Sequence, residues 1–174
     1  MNLADAARFV AERWDSEVIP RLIDYVKVPA KSPAFDASWE AHGHLAAVVK
    51  DAGTWCRAQK IEGLTIEVVT IAGRTPCLYF EVPATGGLGS DHTVLFYGHL
   101  DKQPEMTGWR EDLGPWKPVI EDGRLYGRGS ADDGYAIYAA LTTIAAIDAQ
   151  AVARPRCVGI IETCEESGSP DLPA

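Results

Sequence analysis

Residues 93–98 read TVLFYG, six positions without a charge, and the run stops abruptly at His99-Leu100-Asp101. A continuous apolar run of this length predicts a strand covered on both faces, which is the signature of a parallel sheet packed between helices. A second such run, CVGIIET at 157–163, ends in CEESGS. Between them lies GYAIYAALTTIAAIDA (134–149), Ala-rich and apolar nearly all round, as expected for a helix lying on a sheet. LTIEVVT (64–70) and PCLYFEV (76–82) add two runs rich in β-branched and aromatic residues. In KPVIEDGRLYGRG, Asp122-Gly123 predicts a tight hairpin turn between two short strands.

The N-terminal third is helical by its periodicity. Phe9, Val10, Trp14, Val18, Leu22 and Val26 recur at spacings near three or four, with Pro20 expected to kink or divide the helix. A second helix is expected from Asp36 or Ser38 to about Gln59. The predicted class is therefore α/β, with a mostly parallel central sheet and helices on both faces. At 174 residues the chain can bury the core of one compact domain.

The net charge of −9 argues against a nucleic-acid or anionic-membrane partner, because no basic surface could neutralise rows of phosphates. It also leaves many carboxylates without a basic partner. No charged n-region is followed by an apolar h-region, and no apolar run approaches a membrane span. Four cysteines form no CxxC pair. Together these features predict a cytoplasmic protein with reduced thiols.

Ligands of open α/β sheets bind beyond the carboxyl ends of the strands. Three polar clusters fall at such positions: His99 and Asp101 after one strand, Asp132 and Asp133 at the start of a helix, and Glu165 and Glu166 after another strand. Imidazole and carboxylate are the usual non-thiolate ligands of zinc, and carboxylates that converge repel one another unless a cation joins them. Each cluster also has a plainer reading. An Asp near a helix start commonly caps it, and a Glu pair after a strand is commonly a solvated loop. From the residues alone both readings stay open. Other chemistries fit worse: GxSxG, GxGxxG and a Walker lysine are all absent, and Cys164 has acidic neighbours that disfavour a thiolate.

YGHLDKQPE, LYGRGSADDG and ETCEESGS, in that order, resemble the signatures of the co-catalytic di-zinc metallopeptidases, the family of carnosinases, aminoacylases and succinyl-diaminopimelate desuccinylases. GHLD-x-QP and the Asp-Asp pair are most similar to the carnosinase-like dipeptidase branch. The resemblance implies that His99 binds one metal, Asp132 bridges two, and Glu166 binds the second. It implies that Asp101 accepts the other ring N–H of His99, that Glu165 is the general base, and that the peptide after Asp132 is cis. It further implies two Zn2+ ions per complete site, with Mn2+ or Co2+ as alternatives, a small peptide or N-acyl amino acid as substrate, and a homodimeric full-length protein. The function so implied is exopeptidase or dipeptidase hydrolysis. The alternatives are N-acyl amino acid deacylation and a non-catalytic binding or assembly chain.

The chain departs from the family pattern in two ways. Gly134 and Tyr135 stand where the family usually has Lys-Gly, and no His follows His99. The family places a further Asp and a further His downstream, and a separate lid domain that carries the dimer interface. Residues 1–174 are accordingly expected to be the N-terminal part of a truncated catalytic domain of a zinc exopeptidase, with the lid domain and C-terminal catalytic segment absent. An apolar strand edge or face should then lie uncovered, and the isolated chain should be inactive and bind metal weakly if at all.

Overall fold

The computed structural model describes residues 1–89 and 91–172; Ser90, Pro173 and Ala174 lie outside the described residues. The N-terminal helical stretch is α1 (Leu3–Arg13), one π turn (Trp14–Val18) and α2 (Ile19–Lys27). Pro20 lies in the first turn of α2, so the stretch is divided just before it, as expected, without being interrupted. It has no N–H to offer a helical ladder, and the π turn just before it lets the Ile19 N–H bond Trp14 instead, so the rod continues. The predicted second helix is split. α3 (Trp39–His42) ends at Gly43, which sits at φ 70° in the left-handed region, and α4 (His44–Arg57) starts there.

The strand readings hold closely. β1 (Thr65–Val69), β2 (Cys77–Val82), β3 (Thr93–His99) and β6 (Arg156–Glu162) form one sheet in the order β1-β2-β6-β3. β4 (Val119–Glu121) and β5 (Arg124–Tyr126) form the separate hairpin, turning at Asp122 and Gly123 with φ 50° and 73°. Two successive positive φ values are what a type I′ turn requires. α5 (Ala136–Asp148) is the crossover between β3 and β6.

Two parts of the expected architecture need correction. The sheet is mixed rather than mostly parallel: β1-β2 and β2-β6 pair antiparallel, and only β3-β6 is parallel. β1 and β2 are joined by a short loop, which forces antiparallel pairing, whereas the α5 crossover permits a parallel pair. The second correction concerns the faces. Among the described residues the helices cover one face only. α4 lies on β1 and β2, α5 on β3 and β6, and the two helices touch through Trp55 and Tyr138, whose rings stack edge-on at 4.9 Å.

The covered face is the core. Leu78, Phe80 and Val82 of β2, with Cys157 and Ile161 of β6, are buried against Val48, Ala52, Leu141 and Ile144 of the helices. α5 is apolar on more than one side because α1 packs on its back. The opposite face carries Leu95, 61% exposed, and Tyr97, 48% exposed, and β3 is also an edge strand. Among the described residues no helix is long and apolar enough to cross a membrane.

Candidate metal centre

The parallel β3-β6 pair determines where the site lies. His99 and Glu162 are partners in that ladder, so the segments that follow both strands leave the sheet side by side. The first carries Leu100, Asp101 and Lys102; the second carries Glu165 and Glu166 in a 3-10 turn (Glu165–Ser167). Gly98 allows the third segment to approach. A Cβ there would lie 2.5 Å from Ala136 Cβ and 2.7 Å from a carboxylate oxygen of Asp133, so only glycine lets the start of α5 lie against β3.

Asp132 does not cap α5. The helix begins at Ala136 with no side-chain cap, and the Ala136 N–H bonds the Asp133 carbonyl. The Asp132 side chain is 72% exposed, and its Oδ1 lies 3.1 Å from His99 Nε2. The Asp132–Asp133 peptide is cis, as the resemblance implies. Glu165 Oε2 lies 3.7 Å from the same His99 nitrogen.

The other ring nitrogen of His99, Nδ1, donates to the backbone carbonyl of Asp101 at 3.0 Å, with the Asp101 carboxylate at 3.4 Å. The ring is thus oriented by both oxygens of Asp101 rather than by its carboxylate alone. With Nδ1 donating to Asp101, Nε2 is the nitrogen that faces Asp132 and Glu165, and it is free to ligate a cation once its proton is displaced. The Asp101 carboxylate is fully buried and also accepts the backbone N–H groups of Glu165, at 3.2 Å, and Glu166, at 3.0 Å.

One ligand atom from each of His99, Asp132 and Glu166 lies within 4.8 Å of the other two. Glu165 and Asp101 stand beside this group without belonging to it. Burial opposes a charge on His99, but the carboxylate and carbonyl of Asp101 and the charge of Glu165 outweigh it and raise the imidazole to about 9. Burial raises the Glu165 carboxyl, His99 opposes the shift, and Glu166, Asp101 and Asp132 add to it. An imidazole and several carboxylates crowded in this way suit a divalent cation, which offsets their repulsion and replaces the proton on the ring. The donor set of one nitrogen and carboxylate oxygens fits zinc, manganese or cobalt.

The family described as peptidase family M20/M25/M40 matches residues 95–173, the segment that holds all five of these residues. Over this segment the chain is similar to the M20 peptidases. Succinyl-diaminopimelate desuccinylase of Anaplasma marginale is 38% identical over 81 residues, covering 46% of this chain and 20% of that protein. Human Beta-Ala-His dipeptidase is 42% identical over 88 residues, covering 47% of this chain and 17% of that protein. The crystal structure of human carnosine dipeptidase 1 superposes with a TM-score of 0.71 at 26% identity, over 98% of this chain and 36% of that one. The M20 likeness in fold therefore extends through the N-terminal helices, and the chain spans a fifth or less of these two curated relatives.

Several residues that shape this candidate site were not singled out from the sequence. Gln103 donates through its amide to Glu166 Oε2. The Lys102 side chain is buried and donates to the carbonyls of Tyr25 and Val28, each at 2.8 Å, with the Tyr25 ring face 3.9 Å away. It closes the C-terminal end of α2, where free carbonyls favour a cation, and so ties the N-terminal helices to the His99 loop. Glu162 is buried beneath the site. The signal that could have found it is its place at the end of an apolar strand, on the same face as His99.

Proposed function

We propose that this chain carries the metal-binding half of a di-zinc hydrolase site acting on a peptide bond of a small substrate. The observation that carries the reading is the convergence of His99, Asp132 and Glu166 within 4.8 Å in a segment that matches an M20 peptidase. His99 Nε2 and one oxygen of Asp132 would hold one cation, and Glu166 would hold the second. The exposed side chain of Asp132 leaves its other oxygen available to that second ion.

A cation bound there supplies Lewis-acid polarisation of the scissile carbonyl and acidifies water at neutral pH. The remaining work falls to the chain. Glu165 stands beside the ligand group, and burial raises its carboxyl above the ordinary value. It takes a proton from the attacking water and returns it to the leaving amine. Asp101 holds the ring of His99 in one tautomer through Nδ1 and holds the backbone that presents Glu165 and Glu166. Glu166 stays anionic as a ligand, so two adjacent glutamates take different parts.

The name of the human relative supports a dipeptide substrate; that of the desuccinylase supports an N-acyl amino acid as the second reading. In this reading residues 1–174 contribute part of the catalytic domain, the complete protein is a homodimer, and this chain alone is inactive because each ion finds only two donors in it, with Asp132 shared between them. The four unpaired cysteines accord with a reducing, cytoplasmic setting.

The test is zinc titration of the chain alongside His99→Ala, Asp132→Ala and Glu165→Gln. Binding that is lost in the first two and kept in Glu165→Gln supports the reading. Zinc binding that ignores His99 and Asp132, or that disappears with Glu165→Gln, overturns the assignment.

A further inference from the structure

Glu162 is charged, almost wholly buried and unused by the mechanism above. Its Oε1 accepts the Tyr97 hydroxyl at 2.5 Å and the Ser169 hydroxyl at 2.8 Å, and its Oε2 accepts the Cys164 thiol at 3.2 Å. Cys164 and Ser169 are the two ends of the loop that carries Glu165 and Glu166. Tyr97 is on the neighbouring strand, two residues before His99.

The loop between these ends is closed by its own backbone. Ser167 and Ser169 N–H groups bond the Cys164 carbonyl, and Gly168 N–H bonds the Glu165 carbonyl. With the two amides held by Asp101, all five N–H groups from Glu165 to Ser169 are engaged. Ser169 sits at φ 53°, a left-handed conformation that is costly for a residue with a side chain. That conformation coexists with a hydroxyl that reaches Glu162.

We propose that Glu162 is a positioning residue that clasps both ends of the Cys164–Ser169 loop to β3, and so sets where Glu165 and Glu166 stand relative to His99. This rests on the reading of the site as a metal centre. Asp101 holds the loop by its leading amides, and Glu162 holds it by its ends.

The experiment uses the 174-residue chain and two readouts: hydrogen exchange at amides 165–169 without metal, and titration with Co2+ followed by visible absorption. Glu162→Leu keeps the bulk and removes the acceptor. It should speed exchange at those amides about tenfold or more while exchange in α5 and β2 stays unchanged. It should also weaken Co2+ about 10–100-fold, the usual cost of losing support behind a metal ligand. Glu162→Gln retains an oxygen at Oε1, where both hydroxyls converge, and should bind Co2+ within about threefold of the parent.

Unchanged loop exchange in Glu162→Leu overturns the proposal. So does exchange that rises equally throughout the chain, or a Gln variant as impaired as the Leu variant. If Glu162→Leu fails to fold, Tyr97→Phe and Ser169→Ala carry the test, and loop exchange unaltered in both overturns it. Co2+ uptake that is the same in the parent, His99→Ala and Asp132→Ala refutes the metal-centre reading, while the exchange measurement still decides the role of Glu162.

Discussion

The carboxylate of Asp101 accepts the backbone N–H of Glu166 at 3.0 Å, although 65 residues separate the two in the chain. The same carboxylate takes the Glu165 N–H and faces His99 Nδ1, so one buried side chain holds two of the three sequence clusters in register. A charged acceptor shared among several donors is among the stronger hydrogen-bonding arrangements.

Asp101→Asn would turn an amide NH2 toward the backbone N–H groups it should receive. Each buried donor left unmatched costs about 1–3 kcal/mol. We expect a loss of that order in urea unfolding, with zinc affinity falling about 10–100-fold because His99 and Glu166 lose their support together. A variant with parental affinity would show that Asp101 does not organise the site.

Gly98→Ala introduces a methyl 2.5 Å from Ala136 Cβ and 2.7 Å from an Asp133 oxygen. The Asp133 carboxylate can rotate away, but the Ala136 Cβ is fixed to the helix backbone and cannot. Overpacking of this kind costs about 1–3 kcal/mol. We expect a lower denaturation midpoint and a changed near-ultraviolet dichroism spectrum. A midpoint equal to the parent's would mean that α5 is not held against β3 as described.

Lys102 titrates in a direction set by its burial, which pulls the ammonium down to about 7. In the unfolded chain its pKa is about 10.4. Below about 7 both states hold the proton, and the cost of burying the charge is present in full. Between about 7 and 10.4 the unfolded chain holds a proton that the folded chain has released, so stability rises with pH, by at most about 1.4 kcal/mol per pH unit. The neutral amine keeps two N–H donors, enough for the carbonyls of Tyr25 and Val28. Lys102→Met should lose this dependence. The difference in unfolding free energy between parent and variant should move in the parent's favour from about pH 7 to pH 10, and a flat difference would rule the titration out.

Leu95, 61% exposed on the uncovered face of an edge strand, should drive self-association. Leu95→Lys should leave unfolding stability within about 0.5 kcal/mol, as surface substitutions usually do. Sedimentation velocity should show less association than in the parent. Equal association in both would place the sticky surface elsewhere.

The hairpin at Asp122-Gly123 and the ends of β2, β3 and β6 were legible because their signals are local: two residues that tolerate positive φ, and apolar runs bounded by polar ones. His99, Asp132 and Glu166 were legible as types in a pattern, and the structure brings them together. Glu162 was not, because a single acidic residue at a strand end looks like solvated surface until its three donors arrive from Tyr97, Cys164 and Ser169. Pro20 marks a division of the helical stretch, as its missing N–H predicts, but that the division takes the form of a π turn was not legible, since a π turn changes which amide meets which carbonyl without changing the apolar spacing.

By itself the sequence determined the elements, their order and the chemical character of the strand ends, because each of these depends on residues close together in the chain. Strand direction, the face that stays open and the partners of Asp101 and Glu162 were decided only by the tertiary structure. The run 93–98 shows why. It is apolar throughout, and nothing within it distinguishes Phe96, packed toward the helices, from Leu95, left facing outward. Which side of a strand is covered depends on where distant helices dock, and α4 and α5 both dock on the same side.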